Sequence, residues 1–61
     1  MNLSKTETKV AALVLKGMKN KEIAAELGVK EITVKFHNTN IYKKAGVSSR
    51  ALFMSKMLNV E

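Results

Sequence analysis

The sequence predicts an all-α protein, folded as a compact four-helix domain. Two observations support this class: apolar residues recur at helical spacing in four segments, and proline is absent. The three glycines, Gly17, Gly28 and Gly46, each follow a helical pattern, where glycine commonly marks a helix end. A chain of 61 residues has room for one domain, so we expect residues 1–61 to form a single domain with no sensor or receiver domain.

The first helix is predicted at 5–16. Ser4 is a favourable N-cap and Glu7 follows three residues later, which is the spacing of a capping box. Leu3 stands before them at the position of a hydrophobic staple. The apolar stripe that follows consists of Val10, Leu13 and Val14.

The second helix is predicted at 20–27, with Asn20 as its N-cap. A helix of about two turns is unstable alone, so packing against its neighbours must hold it. Gly28 ends it, and the third helix is predicted at 30–45. The inward stripe of the third helix is Val34, His37, Ile41 and Ala45.

The fourth helix is predicted at 49–58, with Ser48 or Ser49 as its N-cap. Its apolar residues cover more than one face, whereas a domain of this size buries one stripe. They are Leu52, Phe53, Met54, Met57 and Leu58. The apolar residues that the core does not cover indicate either a protein interface or a C-terminus prone to non-specific association. We favour a homodimer with an adaptable, methionine-containing contact.

The composition argues against a catalytic or metal-binding protein. Cysteine is absent and His37 is the one histidine, whereas a zinc site needs three or four ligands. The sequence also has no aspartate and no glycine-rich phosphate loop, so we predict neither an enzyme nor a cofactor. The longest apolar run, residues 10–15, is far too short to span a membrane, and we expect a cytoplasmic protein.

The charge is positive and unevenly distributed. Eleven Lys and Arg residues against five acidic residues give a net charge of +6, and residues 29–50 hold five basic residues against one acidic residue. A basic surface suits phosphate backbones or acidic partners. A general solubility charge is the alternative on composition alone.

The second and third helices, with the glycine turn between them, have the outline of a helix-turn-helix. The outward face of the third helix is more informative than this outline, because readers of the major groove need polar groups for base edges, apolar groups for the thymine methyl and cations for phosphates. That face carries Ile32, Lys35, Phe36 and Thr39, with Lys30, Lys43 and Lys44 at the helix ends. Phe36 in a protein interface and Ile32 in boundary packing are the alternatives.

The chain contains five segments in this order: "LSKTETKV", Gly17, "NKEIAAEL", "TVKFHNTNIYKKAGV" and "SSR". In order and spacing they resemble the LuxR-type helix-turn-helix shared by LuxR, FixJ and GerE-like regulators. The pattern of that family is approximately L-T-x-R-E-x-x-V, a glycine, N-K-E-I-A-x-x-L, T-V-K-x-H-x-x-N-I-x-x-K-L-G-V and then x-x-R. The resemblance covers Leu3 to about Leu58, nearly the whole chain.

The resemblance implies a sequence-specific transcriptional regulator that binds double-stranded DNA with its third helix in the major groove. The DNA contacts that the resemblance implies are Asn20, Lys21, Lys30, Glu31, Thr33, Lys35, Phe36 and Thr39. The flanking cation Lys43 is a further predicted DNA contact. The family's fourth helix usually forms a dimer contact, which here implies Leu52, Phe53, Met54 and Met57 and a dimer on an inverted repeat.

Lys30 is the main departure from the family pattern, which often has serine there as the N-cap. The lysine loses a cap of about 1 kcal/mol and places a cation at the positive end of the helix dipole. A bound phosphate would offset both costs. Thr6, Lys9 and Ala45 also replace the residues usual in the family.

Two further side chains have more than one interpretation. His37 has no second histidine, cysteine or acid at i+4 beside it, so we interpret it as a partly buried, satisfied side chain and not as a switch or base. Tyr42 lies near the rim of the basic face, where packing and a phosphate hydrogen bond are both open.

A second function hypothesis is an interaction module without a sensor. The chain is either an excised domain or a natural stand-alone protein. A natural stand-alone protein would act constitutively, or would pair through its last helix with a larger LuxR-type regulator and inhibit it. RNA polymerase is another partner expected of a regulator, and the nucleoid is its expected location in the cytoplasm.

Overall fold

Four α-helices make up the part of the chain that the structure describes. The computed structural model describes residues 2–58 and contains α1 (Lys5–Leu15), α2 (Asn20–Leu27), α3 (Glu31–Ala45) and α4 (Arg50–Leu58). The predicted all-α class is confirmed, and the predicted helix bounds agree to within one residue at each end. No helix within residues 2–58 has both the length and the apolar character needed to cross a membrane.

The start of α1 is fixed by two reciprocal hydrogen bonds. The Glu7 backbone N–H donates to Oγ of Ser4 at 3.1 Å, and the Ser4 N–H donates to Oε1 of Glu7 at 2.9 Å. The predicted capping box is therefore confirmed. Leu3 is partly buried and packs against the core.

The start of α2 differs from the prediction. Lys19 is the N-cap and Asn20 is the first helical residue. The physical reason is Glu22, whose carboxylate accepts a hydrogen bond from the Lys19 N–H at 2.8 Å and so satisfies the residue before the helix. The side chain of Asn20 is consequently available to another helix. Gly28 ends α2 with a φ of 69°, a left-handed conformation that glycine adopts without a Cβ clash.

The core is one cluster to which all the described helices contribute. Its fully buried larger side chains are Val10, Val14, Ile23, Val34, Ile41 and Phe53. The helix α3 packs against α1, α2 and α4, so three neighbours fix its orientation. Because a chain this short buries only about 60% of its unfolded surface, each of these side chains is a large share of the total stability.

The inward face of α3 differs from the prediction at one position. Val34, Ile41 and Ala45 are buried and His37 is half-buried, as predicted, but Asn38, which was not predicted on this face, is also buried, with 5% of its surface exposed. At about 100° per residue, Asn38 lies about 40° from Val34, whereas His37 lies about 60° away on the other side. The helix geometry thus directs Asn38 into the core, although its polar carboxamide is typical of a surface residue.

Two cations of the predicted basic stripe are engaged within the fold. Nζ of Lys44, near the end of α3, lies 2.7 Å from Oε1 of Glu7 in α1. The Arg50 guanidinium, at the start of α4, donates to the carbonyl of Met18 at 2.6 Å. Lys44 therefore ties α3 to α1, and Arg50 ties α4 to the end of α1 and to the segment after it.

The helix α4 is held by a cap and an aromatic contact. Oγ of Ser49 accepts a hydrogen bond from the Leu52 N–H at 3.2 Å, which identifies Ser49 as the capping serine. The buried ring of Phe53 lies 5.5 Å from the ring of Tyr42, centroid to centroid. The packing interpretation of Tyr42 is therefore confirmed, and burial raises the pKa of its hydroxyl.

Acid should weaken the link between α1 and α3. The hydrogen bonds from Lys44 and from the Ser4 backbone hold the pKa of Glu7 below its ordinary value of 4.5. A carboxylate with a lowered pKa contributes stability that is fully present above the ordinary value and is lost as the pH falls through the folded value. We expect Glu7→Gln to lower the thermal unfolding midpoint at pH 7, and the gap to the parent chain to narrow as the pH is lowered below 4.5. Circular dichroism over a series of pH values measures this, and a gap that stays constant down to the acid unfolding of the parent chain would contradict it.

Candidate nucleic-acid interface

The connection between α2 and α3 is short and ordered. After Gly28, the Val29 N–H donates to the carbonyl of Ala24 at 3.0 Å, which closes the last turn of α2. Lys30 is then the N-cap of α3, with φ of −79° and ψ of 152°. Since α2 and α3 also pack on each other, the pair forms the helix-turn-helix that the sequence predicts.

The outward side of α3 carries large apolar side chains that no other described helix covers. Ile32 is 68% exposed and Phe36 is 64% exposed. Together with Thr39 and Lys43 they follow an i, i+4, i+7, i+11 spacing, which makes a stripe about 16 Å long at 1.5 Å rise per residue. Lys35 is exposed beside this stripe. We call these five residues the exposed face of α3.

Phe36 and Ile32 supply the apolar part of this face. The rings of Phe36 and the half-buried His37 lie in an edge-to-face arrangement, with 5.9 Å between their centroids. In the major groove, such side chains contact the thymine methyl group. Because the fold leaves both side chains in water, they contribute hydrophobic free energy only when a partner covers them. The exposure of Ile32 fits a contact residue better than boundary packing.

Thr39 supplies a polar group whose hydrogen-bonding state is defined. Its hydroxyl donates to the Lys35 carbonyl of the preceding turn at 3.1 Å. The donor is thus engaged, and the oxygen keeps its acceptor capacity. An acceptor in the major groove matches the amino group of cytosine or adenine.

Three exposed lysines lie on α3 or at its N-cap. Lys30, Lys35 and Lys43 are exposed, at the start, middle and end of the helix. None of the three forms an ion pair with another residue of the described range 2–58. Lys35 and Lys43 lie about 80° apart around α3, while Lys30 precedes the helix as its N-cap. The three cations therefore suit contacts to different phosphates that border a groove.

The starts of α2 and α3 hold the remaining predicted contact residues. Lys21 and Glu31 are exposed and Thr33 is half-buried. The first N–H groups of a helix have no acceptor within the helix, so these helix starts suit a phosphate. Asn20 is different: its Oδ1 accepts a hydrogen bond from Nδ2 of Asn38 at 2.8 Å, so part of its side chain is committed to the fold.

A cleft of about 300 Å³ lies between the start of α2 and the middle of α3. Its lining residues are Asn20, Lys35, Asn38, Thr39, Tyr42 and Arg50. Asn38 was not among the predicted site residues, and the signal that could have found it is its angular position within about 40° of Val34. Residues 2–58 hold no group of three or more His, Cys, Asp or Glu side chains arranged to bind a metal ion.

Comparison with known proteins agrees with the helix-turn-helix motif seen in the structure. The sequence profile of the family described as "Bacterial regulatory proteins, luxR family" (GerE) matches residues 1–57. The chain belongs to the luxR family. It is 52% identical over 48 residues to the response regulator protein TmoT of Ectopseudomonas mendocina, a match that covers 79% of this chain and 22% of TmoT. It is 42% identical over 57 residues to the transcriptional regulatory protein UhpA of Escherichia coli, covering 93% of this chain and 29% of UhpA.

A third relative has the same partial coverage. The chain is 36% identical over 59 residues to SgaR of Hyphomicrobium methylovorum, described as a probable transcriptional regulatory protein, covering 97% of this chain and 28% of SgaR. This luxR-family chain therefore spans less than a third of the length of these relatives. No solved structure matches it at a significant level.

In α4 of this luxR-family domain, the prediction for one interface residue is wrong. Phe53 is fully buried in the core, because its ring fills the space beside Tyr42, and it has no surface left for a partner. Met54 is half-buried against the core. The exposed apolar side chains of α4 are Leu52 at 52%, Met57 at 36% and Leu58 at 60%. A contact through α4 would therefore use Leu52 and Met57, with Leu58 added.

Lys30 allows a direct test of stability against binding. Its side chain makes no capping hydrogen bond at the start of α3. We expect Lys30→Ser to stabilise the domain by about 1 kcal/mol through the new cap and to weaken duplex binding through the lost cation. Denaturant unfolding and duplex titration measure the two effects. Lys9→Ser, at an exposed position of α1, removes the same charge and is the control. Unchanged duplex affinity in Lys30→Ser would contradict a phosphate contact there.

Proposed function

We propose that this luxR-family domain binds double-stranded DNA sequence-specifically and inserts α3 into the major groove. The observation that supports this most strongly is the exposed face of α3, where Phe36 and Ile32 are largely in water beside Lys35, on the helix that follows the tight turn. This combination of apolar, acceptor and cationic groups matches the chemistry of a groove lined by base edges and bordered by phosphates.

The residues have separate roles in this proposal. Phe36, Thr39 and Ile32 contact base edges and set the preferred sequence. The cations Lys30, Lys35 and Lys43 hold the phosphates, and Lys35 is also within reach of bases. The starts of α2 and α3 add backbone and side-chain contacts to phosphates through Asn20, Lys21, Glu31 and Thr33.

The domain acts as a dimer on an inverted repeat in this proposal. Support comes from α4, where Leu52, Met57 and Leu58 leave apolar side chains exposed outside the core. A two-fold dimer would place its two α3 helices in major grooves about 34 Å apart, which is one turn of the duplex.

The biological role that we infer is transcription regulation in the bacterial nucleoid. The family description names bacterial regulatory proteins, and UhpA and SgaR carry descriptions as transcriptional regulatory proteins. Contact with RNA polymerase belongs to the same proposal, because a regulator of transcription acts on that enzyme directly or by blocking its access.

Selection of bound duplexes from a random pool tests the proposed function. The expected result is an enriched half-site repeated as an inverted pair, with half-site centres about 10 base pairs apart. Phe36→Ala or Thr39→Ala should change the enriched bases, whereas Lys35→Ala should weaken binding to all sequences and leave the preference largely intact. A pool that shows no enrichment, or the same enrichment in Phe36→Ala, would contradict the proposal.

A second candidate function is pairing with a larger LuxR-type regulator through α4. The exposed Leu52 and Leu58 favour it, since they provide a contact surface that does not involve DNA. Sizing chromatography with a full-length regulator distinguishes the two functions. A mixed dimer formed by a chain that has no duplex affinity of its own would favour this candidate.

A further inference from the structure

A pair of asparagines joins the two helices of the helix-turn-helix. Nδ2 of Asn38, in the middle of α3, donates to Oδ1 of Asn20, the first residue of α2, at 2.8 Å. Asn38 is buried, with 5% of its surface exposed, while Asn20 is half-buried at the domain surface. This is a directional contact between the start of the supporting helix and the helix that carries the exposed face of α3.

The Asn38 side chain is poorly suited to stabilising the core. Its Oδ1 is buried and has no hydrogen-bond partner among residues 2–58. A buried acceptor without a partner is destabilising, because it loses its hydrogen bond to water without replacement. Leucine has the same branched shape and would bury apolar atoms at this position. Stability alone therefore does not account for an amide here.

Its location indicates what the amide does. Asn38 lines the same cleft as Lys35 and Thr39 of the exposed face of α3. An apolar contact tolerates rotation and sliding between helices, whereas a hydrogen bond constrains both distance and angle. The Asn20–Asn38 bond thus adds a directional constraint on the rotation of α3 relative to the start of α2, beyond the packing of α3 against its neighbours.

We propose that Asn38 is a positioning residue for DNA recognition. Through Asn20 it holds the exposed face of α3 and the phosphate-binding start of α2 in the one relative orientation that engages a single duplex site. This inference rests on the proposed function, because it concerns how the same surface discriminates between sequences. Buried polar groups can serve conformational specificity at a cost in stability, and Asn38 has both features.

The Asn38→Leu variant separates positioning from stability. The measurements are the thermal unfolding midpoint and the ratio of affinities for the pool-selected duplex and a scrambled duplex. We expect the midpoint to be unchanged or higher, and the affinity ratio to fall about fivefold, the scale of one net hydrogen bond. The variant Asn20→Ala breaks the same hydrogen bond by removing its acceptor, which lies nearer the domain surface. It serves as the test if Asn38→Leu does not fold. Loss of a phosphate contact by Asn20 lowers both affinities alike and cancels in the ratio.

Ile41→Val is the control for loose packing, because it trims the same inward face of α3 and leaves the amide pair in place. It should lower the midpoint and keep the affinity ratio. An unchanged ratio in both asparagine variants, or an equal fall of the ratio in Ile41→Val, would overturn the positioning role. If the parent chain itself has no ratio above one, the proposed function fails instead, so the two failures are distinguishable.

Discussion

Replacing Lys30, Lys35 and Lys43 together by alanine is expected to weaken duplex binding on the order of 100-fold or more at about 0.1 M salt. The three side chains are exposed, Lys35 and Lys43 on α3 and Lys30 at its N-cap, and each is proposed to neutralise one phosphate. Each lost phosphate contact should reduce the slope of log affinity against log salt by about 0.9, so the triple variant should lose about 2.7. Titration of a labelled duplex at several salt concentrations measures both quantities.

A charge-matched variant provides the control for this experiment. Lys5, Lys9 and Lys16 are exposed on or beside α1, and replacing them removes the same charge from the chain's net +6. We expect this variant to lose much less affinity, because general attraction to the duplex is weaker than direct contact. Lys44 is unsuitable as a control, because it is paired with Glu7 and its removal would disturb the fold. An equal loss of affinity in both triple variants would show that only net charge matters.

Phe53→Ala is expected to unfold the domain or leave it marginally stable. Phe53 is fully buried and is the contact through which α4 packs beside Tyr42. Truncating a buried phenylalanine to alanine costs about 3–5 kcal/mol. At roughly 0.05–0.15 kcal/mol per residue, a domain of this length has a total stability of about 3–9 kcal/mol. Far-ultraviolet circular dichroism during denaturant unfolding gives the change in the free energy of unfolding.

Leu52→Ala is the neighbouring control for Phe53. Leu52 precedes Phe53 on α4 but is 52% exposed, so its truncation should change the free energy of unfolding of the isolated chain by less than about 1 kcal/mol. If α4 forms the proposed dimer, Leu52→Ala should instead weaken self-association at sedimentation equilibrium. A loss of stability as large in Leu52→Ala as in Phe53→Ala would contradict the division of α4 into a buried and an exposed side.

Local signals in the sequence were sufficient to predict the helices and the outward side of α3. The capping box of Ser4 and Glu7 and the left-handed Gly28 involve residues close together in the chain, so residue type and spacing define them. The exposure of Phe36 follows from the same helical period that buries Val34 and Ile41. Such features depend on one helix at a time.

Contacts between helices could not be predicted in this way. The pairing of Lys44 with Glu7 and of Asn38 with Asn20 depends on how α3 lies against α1 and α2. Phe53 was predicted at a dimer interface because α4 has apolar residues on more than one side. Only the packing of α4 beside Tyr42 shows which side the core covers.

The most direct test of the central claim is a map of backbone amide chemical-shift changes when the pool-selected duplex is added to the chain. The claim is that the exposed face of α3 reads the duplex. It predicts the largest changes in residues 30–43 and at the start of α2, and their loss as salt is raised. Changes confined to α4, with those of Lys35, Phe36 and Thr39 absent, would contradict it.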